Sequence, residues 1–253
     1  MDGTVYIGEK LLPGALEFLN FLDSRGTPYY FLTNNSSRSS KDYLNKLRRI
    51  GLPVKEDGIF TSGEATAIYL KKHYPGAKLF VVGTPSLEQE FRLHGLNLVD
   101  EEPDCVVLGF DTTLTYEKIW KLCDFIREGY PYIATHPDIN CPTENGFMPD
   151  IGAVMALVEA STGRRPDVII GKPYAPIIEA VVKKTGFPRN ALAMIGDRLY
   201  TDIAMGALGI TTVLVLSGET SKKEIPGSLF RPDYVFENLQ EMLEAYQSDF
   251  RMI

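Results

Sequence analysis

Residues 192–202 read LAMIGDRLYTD, in which a short apolar run ends at a glycine and is followed at once by a carboxylate, Asp197. A second carboxylate, Asp202, comes five residues later. A short run of this kind favours a buried strand, and in open parallel sheets ligands bind beyond the carboxyl ends of the strands. The stretch therefore predicts an α/β fold with Asp197 at the functional edge of a parallel sheet.

Polar residues also follow two other apolar runs and stand at the start of the chain. Together the four places supply carboxylates, a hydroxyl, amides and one cation. Carboxylates suit Mg²⁺, whereas hydroxyl, backbone N–H and ammonium groups suit phosphoryl oxygens. The combination indicates a phosphate bound beside a hard cation. The residues concerned are Asp2-Gly3-Thr4, Thr33-Asn34-Asn35, Lys172-Pro173, and Asp197 with Asp202.

Each place also has an interpretation without catalysis. Thr201 with Asp202 could simply begin the helix predicted over Thr201–Leu208. Residues 33–35 could form an ordinary turn between a strand and a helix, and Lys172 could be one of many solvated lysines. The occurrence of all four groups together favours the functional interpretation.

Strand-like runs alternate with segments of helical period along most of the chain, as in βαβ units. A helix over Ala15–Arg25 precedes a strand over Pro28–Thr33, and a helix over Ala175–Thr185 precedes a strand over Leu192–Gly196. The alternation predicts an α/β protein built on a doubly wound parallel sheet.

Residues 77–167 repeat this alternation with strands and a helix of their own. Pro- and Gly-containing joints at Tyr74–Gly76 and Gly163–Pro166 are reasonable domain boundaries, although composition alone does not distinguish a domain from a continued sheet. We predict a core of residues 1–76 and 168–253 that carries residues 77–167 as an inserted α/β domain. The predicted elements of the insertion are strands Lys78–Val82, Cys105–Gly109 and Tyr132–Thr135 and helix Thr115–Glu128.

Composition narrows the classes of partner. The 253 residues are 44% hydrophobic and carry a formal net charge of −7, which disfavours binding to nucleic acid or to an anionic membrane. The 3 cysteines and 3 histidines form no zinc-ligand spacing. No apolar run approaches the roughly eighteen residues of a membrane span, and no basic and apolar leader opens the chain. We expect a cytoplasmic protein that acts on a small soluble molecule.

The four polar places resemble the motifs of the haloacid dehalogenase (HAD) superfamily of phosphatases, in the branch of NagD and the p-nitrophenyl phosphatases. The resemblance covers essentially the whole chain, and its fourth motif is the most specific. It implies a HAD-like (Rossmannoid) core with an inserted α/β cap. The matching stretches are, in order, Asp2–Tyr6, Thr33–Ser36, Gly171–Pro173 and Gly196–Asp202.

The resemblance also implies a Mg²⁺-dependent phosphomonoesterase. In the family, an aspartate attacks phosphorus to form an aspartyl-phosphate, and a second aspartate two positions later protonates the leaving group and then activates water. Asp2 matches the second aspartate, and its backbone carbonyl would contact the metal. Thr33 would hydrogen-bond the phosphoryl group, Asn34 and Asn35 would shape that loop, and Lys172 would neutralise charge.

Metal and substrate residues follow from the same resemblance. Asp197 would hold Mg²⁺, with Asp202 beside it as a further ligand or as a residue that orients the ligands. The cap would cover the site and select the substrate, so that His136, Asp138 and Asp150 in its loops are expected to bind substrate. A structural hydrogen-bonding role for His136 stays open.

Expected substrates are sugar phosphates, nucleotides or other small phosphate esters, with p-nitrophenyl phosphate as a substrate in vitro. A homodimer through the cap is left open.

The first motif departs from the family pattern Asp-x-Asp-Gly-Thr, because the position of the nucleophile falls one residue before Met1. The apolar strand that leads into the motif is missing from the sequence as well. We expect that the start was assigned to an internal methionine, since Asp-Met-Asp-Gly-Thr would offer one there; a fragment and an inactive paralogue are the alternatives. A polypeptide that begins at Met1 is expected to lack activity, and a phosphometabolite-binding protein without catalysis is the alternative function.

Overall fold

The computed structural model describes residues 1–143 and 146–249, and in this part of the chain parallel strands alternate with helices. The strands are β1 (Tyr6–Ile7), β2 (Lys10–Leu11), β3 (Phe31–Thr33), β4 (Ile59–Thr61), β5 (Lys78–Val82), β6 (Asn97–Leu98), β7 (Cys105–Leu108), β8 (Tyr132–Ala134), β9 (Asn140–Thr143), β10 (Gly146–Pro149), β11 (Val168–Ile169), β12 (Ala193–Gly196), β13 (Thr211–Val215) and β14 (Tyr234–Phe236).

The helices begin with α1, which follows the short antiparallel hairpin of β1 and β2. Among the described residues, no helix is both long enough and apolar enough to cross a membrane. The α-helices are α1 (Ala15–Ser24), α2 (Ser40–Arg49), α3 (Ser62–His73), α4 (Pro85–Leu93), α5 (Tyr116–Glu128), α6 (Ile151–Thr162), α7 (Ala175–Thr185) and α8 (Leu239–Asp249), and short 3₁₀ helices span Arg189–Ala191, Ile203–Leu208 and Ile225–Gly227.

The backbone divides into two compact units. Unit 1 comprises Met1–Phe31, Leu44–Ile59 and the chain from Val182 onward, and unit 2 comprises Leu32–Tyr43 and Phe60–Val181. The domain boundaries predicted from the sequence, between residues 76 and 77 and between residues 167 and 168, stay a prediction.

Unit 2 contains a parallel five-stranded sheet in the order β11-β8-β7-β5-β6. The central strand β7 pairs with both neighbours, so that Val106 lies opposite Phe80 on one side and Tyr132 on the other. Residues of β7 are buried throughout, as expected for a parallel sheet that is covered on both faces. Leu122 and Ile126 of α5 and Val158 of α6 belong to the same hydrophobic cluster as these strands.

Side-chain caps fix where the helices of unit 2 begin. Thr61, Thr84 and Thr115 accept hydrogen bonds from backbone N–H groups in the first turns of α3, α4 and α5. Asp150 does the same for α6 through the N–H of Ile151. Such caps satisfy donors that would otherwise lack a partner in the helix, so the polar residue before each helix sets its first turn.

Unit 1 contains a parallel three-stranded sheet in the order β12-β13-β14. Helices α1 and α8 pack on each other, with the Phe21 and Tyr246 rings 6.0 Å apart in an edge-on arrangement. The predicted strand before Asp197 is present as β12, but the helix predicted over Thr201–Leu208 is a 3₁₀ helix over Ile203–Leu208. Gly206 inside so short a segment disfavours a regular α-helix.

Candidate active site

The Asp197 carboxylate lies at the carboxyl end of β12 and is only 4% exposed. Its Oδ1 accepts a hydrogen bond from Thr4 Oγ1 at 3.0 Å, and its Oδ2 accepts one from the backbone N–H of Glu219 at 2.9 Å. Its backbone carbonyl accepts a further bond from Thr220 N–H. The side chain is therefore held from both oxygens, and each oxygen keeps a second lone pair for a ligand.

Two glycines bring the backbone close to this carboxylate. A Cβ atom on Gly3 would lie 2.3 Å from Asp197 Oδ2, and a Cβ atom on Gly218 would lie 2.2 Å from the same oxygen. Gly3 also has a φ of +77°, a conformation that favours glycine. Ser217 Oγ donates a hydrogen bond to the Gly3 carbonyl at 2.9 Å. Gly3 and Gly218 thus enclose the Asp197 carboxylate, and we call these two residues the glycine cradle.

Asp202 is buried beside the end of β12. Its Oδ2 accepts a hydrogen bond from Arg198 N–H at 3.2 Å, and its Cγ lies 2.3 Å from the place of a Cβ atom on Gly196. The side chain makes no capping hydrogen bond to the 3₁₀ helix that follows it. Its carboxylate thus closes the loop after Asp197 instead of starting a helix.

Asp2 lies in the same acidic environment. Its side chain reaches solvent, but partial desolvation is the largest cause that raises the pKa of Asp2 above its ordinary value of 3.8. The negative charge of Asp197 raises this pKa as well, whereas the cationic Lys46 and Arg198 lower it. Carboxylates that repel each other and offer only oxygen ligands fit a hard divalent cation.

In unit 2, the Asn34 carboxamide holds the backbone of Lys172. Asn34 Oδ1 accepts a hydrogen bond from Lys172 N–H at 2.8 Å, and Asn34 Nδ2 donates to the Lys172 carbonyl at 3.0 Å and to Asp138 Oδ1 at 2.9 Å. The Asn34 carbonyl accepts a hydrogen bond from Ser62 Oγ. Lys172 is buried, and a cis peptide bond joins it to Pro173. The side chain of Asn34 therefore pairs with both backbone groups of Lys172, as a neighbouring strand would.

The turn after β3 is closed by its own polar side chains. Thr33 Oγ1 accepts a hydrogen bond from Asn35 N–H at 3.2 Å. Asn35 Oδ1 accepts from the N–H and the hydroxyl of Ser37 at 2.9 and 2.7 Å, and Asn35 Nδ2 lies 3.8 Å from Cys141 Sγ. Both side chains thus take part in shaping this loop.

His136 is completely buried between two carboxylates of unit 2. Its Nδ1 lies 3.8 Å from Asp138 Oδ2, and its Nε2 lies 3.6 Å from Asp150 Oδ1. Asp150 Oδ1 also accepts the hydrogen bond from Ile151 N–H at 2.6 Å that begins α6. A Cβ atom on Gly171 would lie 2.6 Å from His136 Cβ, so the residue before Lys172 packs directly against the histidine.

The structure brings the predicted site residues into two sets. Asp2, Asp197 and Asp202 lie together in unit 1, and the other predicted site residues lie in unit 2. Their roles, and their convergence on a single phosphate, stay predictions. Thr4, Gly218 and Glu219 carry no predicted role, although residues 217–220 follow the apolar run 211–216 just as Asp197 follows residues 193–196. The set in unit 2 consists of Thr33, Asn34, Asn35, His136, Asp138, Asp150 and Lys172.

Comparison with known proteins gives the family. A model described as haloacid dehalogenase-like hydrolase matches residues 1–97, and a second model, described as HAD-hydrolase-like, matches residues 169–242. The acid sugar phosphatase of Staphylococcus saprophyticus is 35% identical over 249 residues, which cover 98% of this chain and 96% of the relative. The chain belongs to the haloacid dehalogenase-like hydrolases.

Other relatives place this hydrolase in a branch of the family. The 5′-nucleotidase YutF of Bacillus subtilis is 36% identical over 244 residues, covering 96% of this chain and 95% of the relative. The crystal structure of a 4-nitrophenylphosphatase from Thermotoga maritima matches with a TM-score of 0.94 at 48% identity, covering 96% of this chain and 94% of that chain. The hydrolase is a NagD-like phosphatase, and the predicted α/β fold, a HAD-like core with an inserted cap, is confirmed.

Proposed function

We propose that this phosphatase removes the phosphoryl group from small soluble phosphate esters, with sugar phosphates and nucleotides as the candidate substrate classes. The observation that carries the proposal is the buried Asp197 carboxylate, which Thr4, Glu219 and the glycine cradle hold at the end of β12. The names of the relatives, an acid sugar phosphatase and a 5′-nucleotidase, support both substrate classes. A homodimer through the cap stays open, and a cytoplasmic location stays a prediction.

We assign Mg²⁺ to the acidic residues of unit 1. Asp197 would hold the ion, with the Asp2 backbone carbonyl and the Asp202 carboxylate beside it. The donor set supports a hard cation because it consists of oxygen atoms and because the charges of Asp2 and Asp197 repel each other. When bound, the ion would withdraw negative charge from the phosphoryl oxygens.

The residues of unit 2 are assigned to the phosphoryl group. The Lys172 ammonium would neutralise charge on it, and the Thr33 hydroxyl would donate a hydrogen bond to one of its oxygens. Asn34 fixes the backbone from which the Lys172 side chain extends, and Asn35 holds the turn that carries Thr33. Asp2 would transfer a proton to the leaving group, while the family's nucleophilic aspartate occupies the position two residues before Asp2.

The experiment measures phosphate release from p-nitrophenyl phosphate, a sugar phosphate and a nucleoside monophosphate, with and without Mg²⁺, by protein produced from its own gene. Asp197→Asn and Lys172→Met are each expected to lower kcat/KM by about 10²-fold or more on every substrate. Lys183→Met changes an exposed lysine of α7 and is the matched control, expected to keep full activity.

The two variants also distinguish a residue that binds the metal from a residue that binds the phosphoryl group. Asp197→Asn is expected to raise the Mg²⁺ concentration needed for half-maximal activity, and Lys172→Met is expected to leave it unchanged. Full activity of Asp197→Asn at ordinary Mg²⁺ concentrations would contradict the proposal. Binding of phosphate esters by the wild-type protein without phosphate release would support the binding-protein alternative instead.

A further inference from the structure

The side chain of His136 lies between the carboxyl groups of Asp138 and Asp150. When these groups are ionised, they can accept hydrogen bonds from the ring but cannot donate one. Asp138 faces Nδ1 and Asp150 faces Nε2, at 3.8 and 3.6 Å. A carboxylate only accepts hydrogen bonds, so both ring nitrogens match their neighbours only when both carry a proton. We propose that His136 is an imidazolium that joins Asp138 to Asp150 and thereby positions Lys172 through Asn34.

An ion pair and a metal ion are the two arrangements that these three side chains could form. The three side chains do offer ligand atoms within 4.8 Å of one another. The two carboxylates, however, face different nitrogens of the same ring. A metal ion could bind only one of these nitrogens, and the other would donate its N–H to the remaining carboxylate, whereas an imidazolium pairs with both carboxylates and needs no ion, so addition of a metal is one arm of the test. Burial of two carboxylates with one cation also costs far less than burial of the carboxylates alone.

The link from Asp138 to Lys172 runs through the orientation of the Asn34 carboxamide. Asp138 Oδ1 accepts from Asn34 Nδ2, so a negative Asp138 keeps the amide nitrogen on its own side. In this orientation the carboxamide oxygen accepts from Lys172 N–H and the amide nitrogen donates to the Lys172 carbonyl. A rotated carboxamide would place its oxygen against Asp138 and lose these bonds. The charge on Asp138 therefore selects the orientation that holds Lys172.

His136 and Asp150 anchor Asp138 to the rest of unit 2. Asp150 is fixed at the start of α6 by its bond to Ile151 N–H, and the Phe110 ring packs edge-on against the His136 ring at 6.4 Å between centroids. Among the described contacts, the Asp138 and Asp150 carboxylates lie against the imidazole, and Asn34 connects Asp138 to the backbone of Lys172. His136 is a positioning residue in this arrangement, and the inference rests on the phosphate-binding role proposed for Lys172.

The test uses Asp150→Asn, because the asparagine oxygen can still accept from Ile151 N–H while the negative charge is lost. We expect kcat/KM to fall about tenfold, since loss of roughly 1.4 kcal/mol of transition-state stabilisation has this effect. The fall should be equal for p-nitrophenyl phosphate, a sugar phosphate and a nucleoside monophosphate, because Lys172 would bind the phosphoryl group that all three share. A changed order of preference would overturn the inference and support direct substrate binding by Asp150.

Thr115→Ala is the matched control, since it removes the cap of α5 in the same unit without touching the histidine. It is expected to lower the thermal midpoint and to leave kcat/KM unchanged. Asn34→Asp provides the second variant, because it replaces the donor to Asp138 by an acceptor while keeping the size of the side chain. A fall in kcat/KM at least as large as that of Asp150→Asn is expected, and full activity would overturn the inference.

A spectroscopic readout is independent of activity. In ¹⁵N NMR spectra of the wild-type protein at neutral pH, both ring nitrogens of His136 are expected to carry protons, with His136→Gln identifying the signals. Asp150→Asn is expected to convert His136 to a neutral ring, and a neutral ring in the wild-type protein would overturn the inference. A shift of the ring signals on addition of Zn²⁺ alone would overturn it in favour of a metal site.

The two proposals fail in distinguishable ways. If Lys172→Met keeps full activity, the proposed role of Lys172 is wrong and the positioning inference is wrong with it. If Lys172→Met loses activity and Asp150→Asn keeps it, only the positioning inference is wrong.

Discussion

Position 218 requires a glycine because its backbone lies against the side chain of Asp197. Its backbone lies so close to Asp197 that a Cβ atom would come within 2.2 Å of Oδ2 and 2.6 Å of Cγ. The next residue, Glu219, donates its N–H to the same oxygen, so the loop cannot move away without losing that bond. A methyl group added at Gly218 would therefore displace the Asp197 carboxylate.

Gly218→Ala is expected to reduce kcat/KM by about tenfold or more, because a displaced carboxylate costs over roughly 1.4 kcal/mol of transition-state stabilisation. The Mg²⁺ concentration for half-maximal activity should rise as well. Gly227→Ala is the control, since a Cβ atom there meets nothing within 4 Å. Steady-state kinetics at several Mg²⁺ concentrations measures both effects, and equal kinetics for the two variants would contradict the role of the cradle.

At the level of single residues, the sequence predicts which side chains stand at strand ends but not what they contact. Asp197 and Lys172 could be found because each directly follows an apolar run. The hydrogen bonds between Asn34 and Lys172 join positions 138 residues apart, and no local pattern encodes such a pairing. The position of His136 between two carboxylates also depends on where β8 and α6 come together in three dimensions.

Among the helices, Glu90 of α4 links the starts of two others. Its Oε1 accepts from the N–H and hydroxyl of Ser40 at 3.2 and 2.9 Å, and its Oε2 accepts from Thr61 Oγ1 at 3.3 Å. Ser40 is the first residue of α2, and Thr61 caps α3. Burial is the largest cause that raises the pKa of Glu90 above its ordinary value of 4.5, and the charge of Glu64 raises it further.

Glu90→Gln is expected to gain stability relative to the wild-type protein as the pH rises. Because the pKa of Glu90 is higher in the folded state, the fold favours the protonated carboxyl, and this contribution is complete below the unfolded value near 4.5. It is lost as the pH rises through the folded pKa, whereas the glutamine amide does not titrate. Urea denaturation of both proteins across this range measures the difference. Glu128→Gln, on the exposed end of α5, is the control, and the same pH dependence for both variants would refute the prediction.

Arg164 joins the end of α5 to the start of β11. Its Nη1 donates to the carbonyls of Ile126 and Tyr130 at 2.9 and 3.2 Å, and its Nη2 donates to both oxygens of Asp167. Asp167 in turn accepts from Tyr132 N–H at 2.7 Å. The guanidinium thus hydrogen-bonds carbonyls at and just after the end of α5, where the regular helical hydrogen bonds stop.

Arg164→Met is expected to lower the free energy of unfolding by about 1–2 kcal/mol, because hydrogen bonds from a charged donor are lost while part of the site stays hydrated. Arg165→Met is the matched control, since the exposed Arg165 contacts Glu159 alone among the contacts described for it, and it is expected to have a smaller effect. Denaturant titration measures both, and equal losses would count against the prediction.

The elements themselves were predicted well where an apolar period and a clear end coincide. The structure confirms the predicted bounds of β5 and of α7, since a turn-forming glycine or a proline lies close to each. The 3₁₀ helix over Ile203–Leu208 was predicted as part of an α-helix because its apolar residues have helical spacing. The close packing of Asp202 against Gly196, which the sequence does not reveal, accompanies the tighter geometry.

At the scale of the whole molecule, the three cysteines differ in how deeply they are buried. Cys105 and Cys123 are buried, Cys141 on β9 is partly exposed, and none of the three is in a disulfide. Burial is the largest cause that raises the pKa of Cys105 to about 12. Because the thiolate is the reactive form, Cys105 is protected from thiol reagents in two ways. Reagents cannot reach its buried sulfur, and the sulfur stays protonated.

We expect a disulfide reagent at mildly alkaline pH to modify Cys141 rapidly in the native protein and the other two thiols only after unfolding. Cys141→Ser should then abolish the rapid phase and leave the slow phase intact. The measurement is the time course of thiol modification with and without denaturant. Rapid modification of Cys105 in the native state would mean that the five-stranded sheet opens far more readily than its burial implies.

The spacing of contacts along the chain has a consequence for how the protein is made. Every strand of the five-stranded sheet lies within residues 78–169, whereas the hydrogen bond from Thr4 to Asp197 spans 193 positions. A nascent chain that has left the ribosome as far as α7 already contains that whole sheet but not Asp197. Domains generally fold as units during synthesis, so the contacts around Asp197 can form only after the five-stranded sheet has left the ribosome. A chain terminated prematurely at this length would contain the complete five-stranded sheet but would lack Asp197 and Asp202.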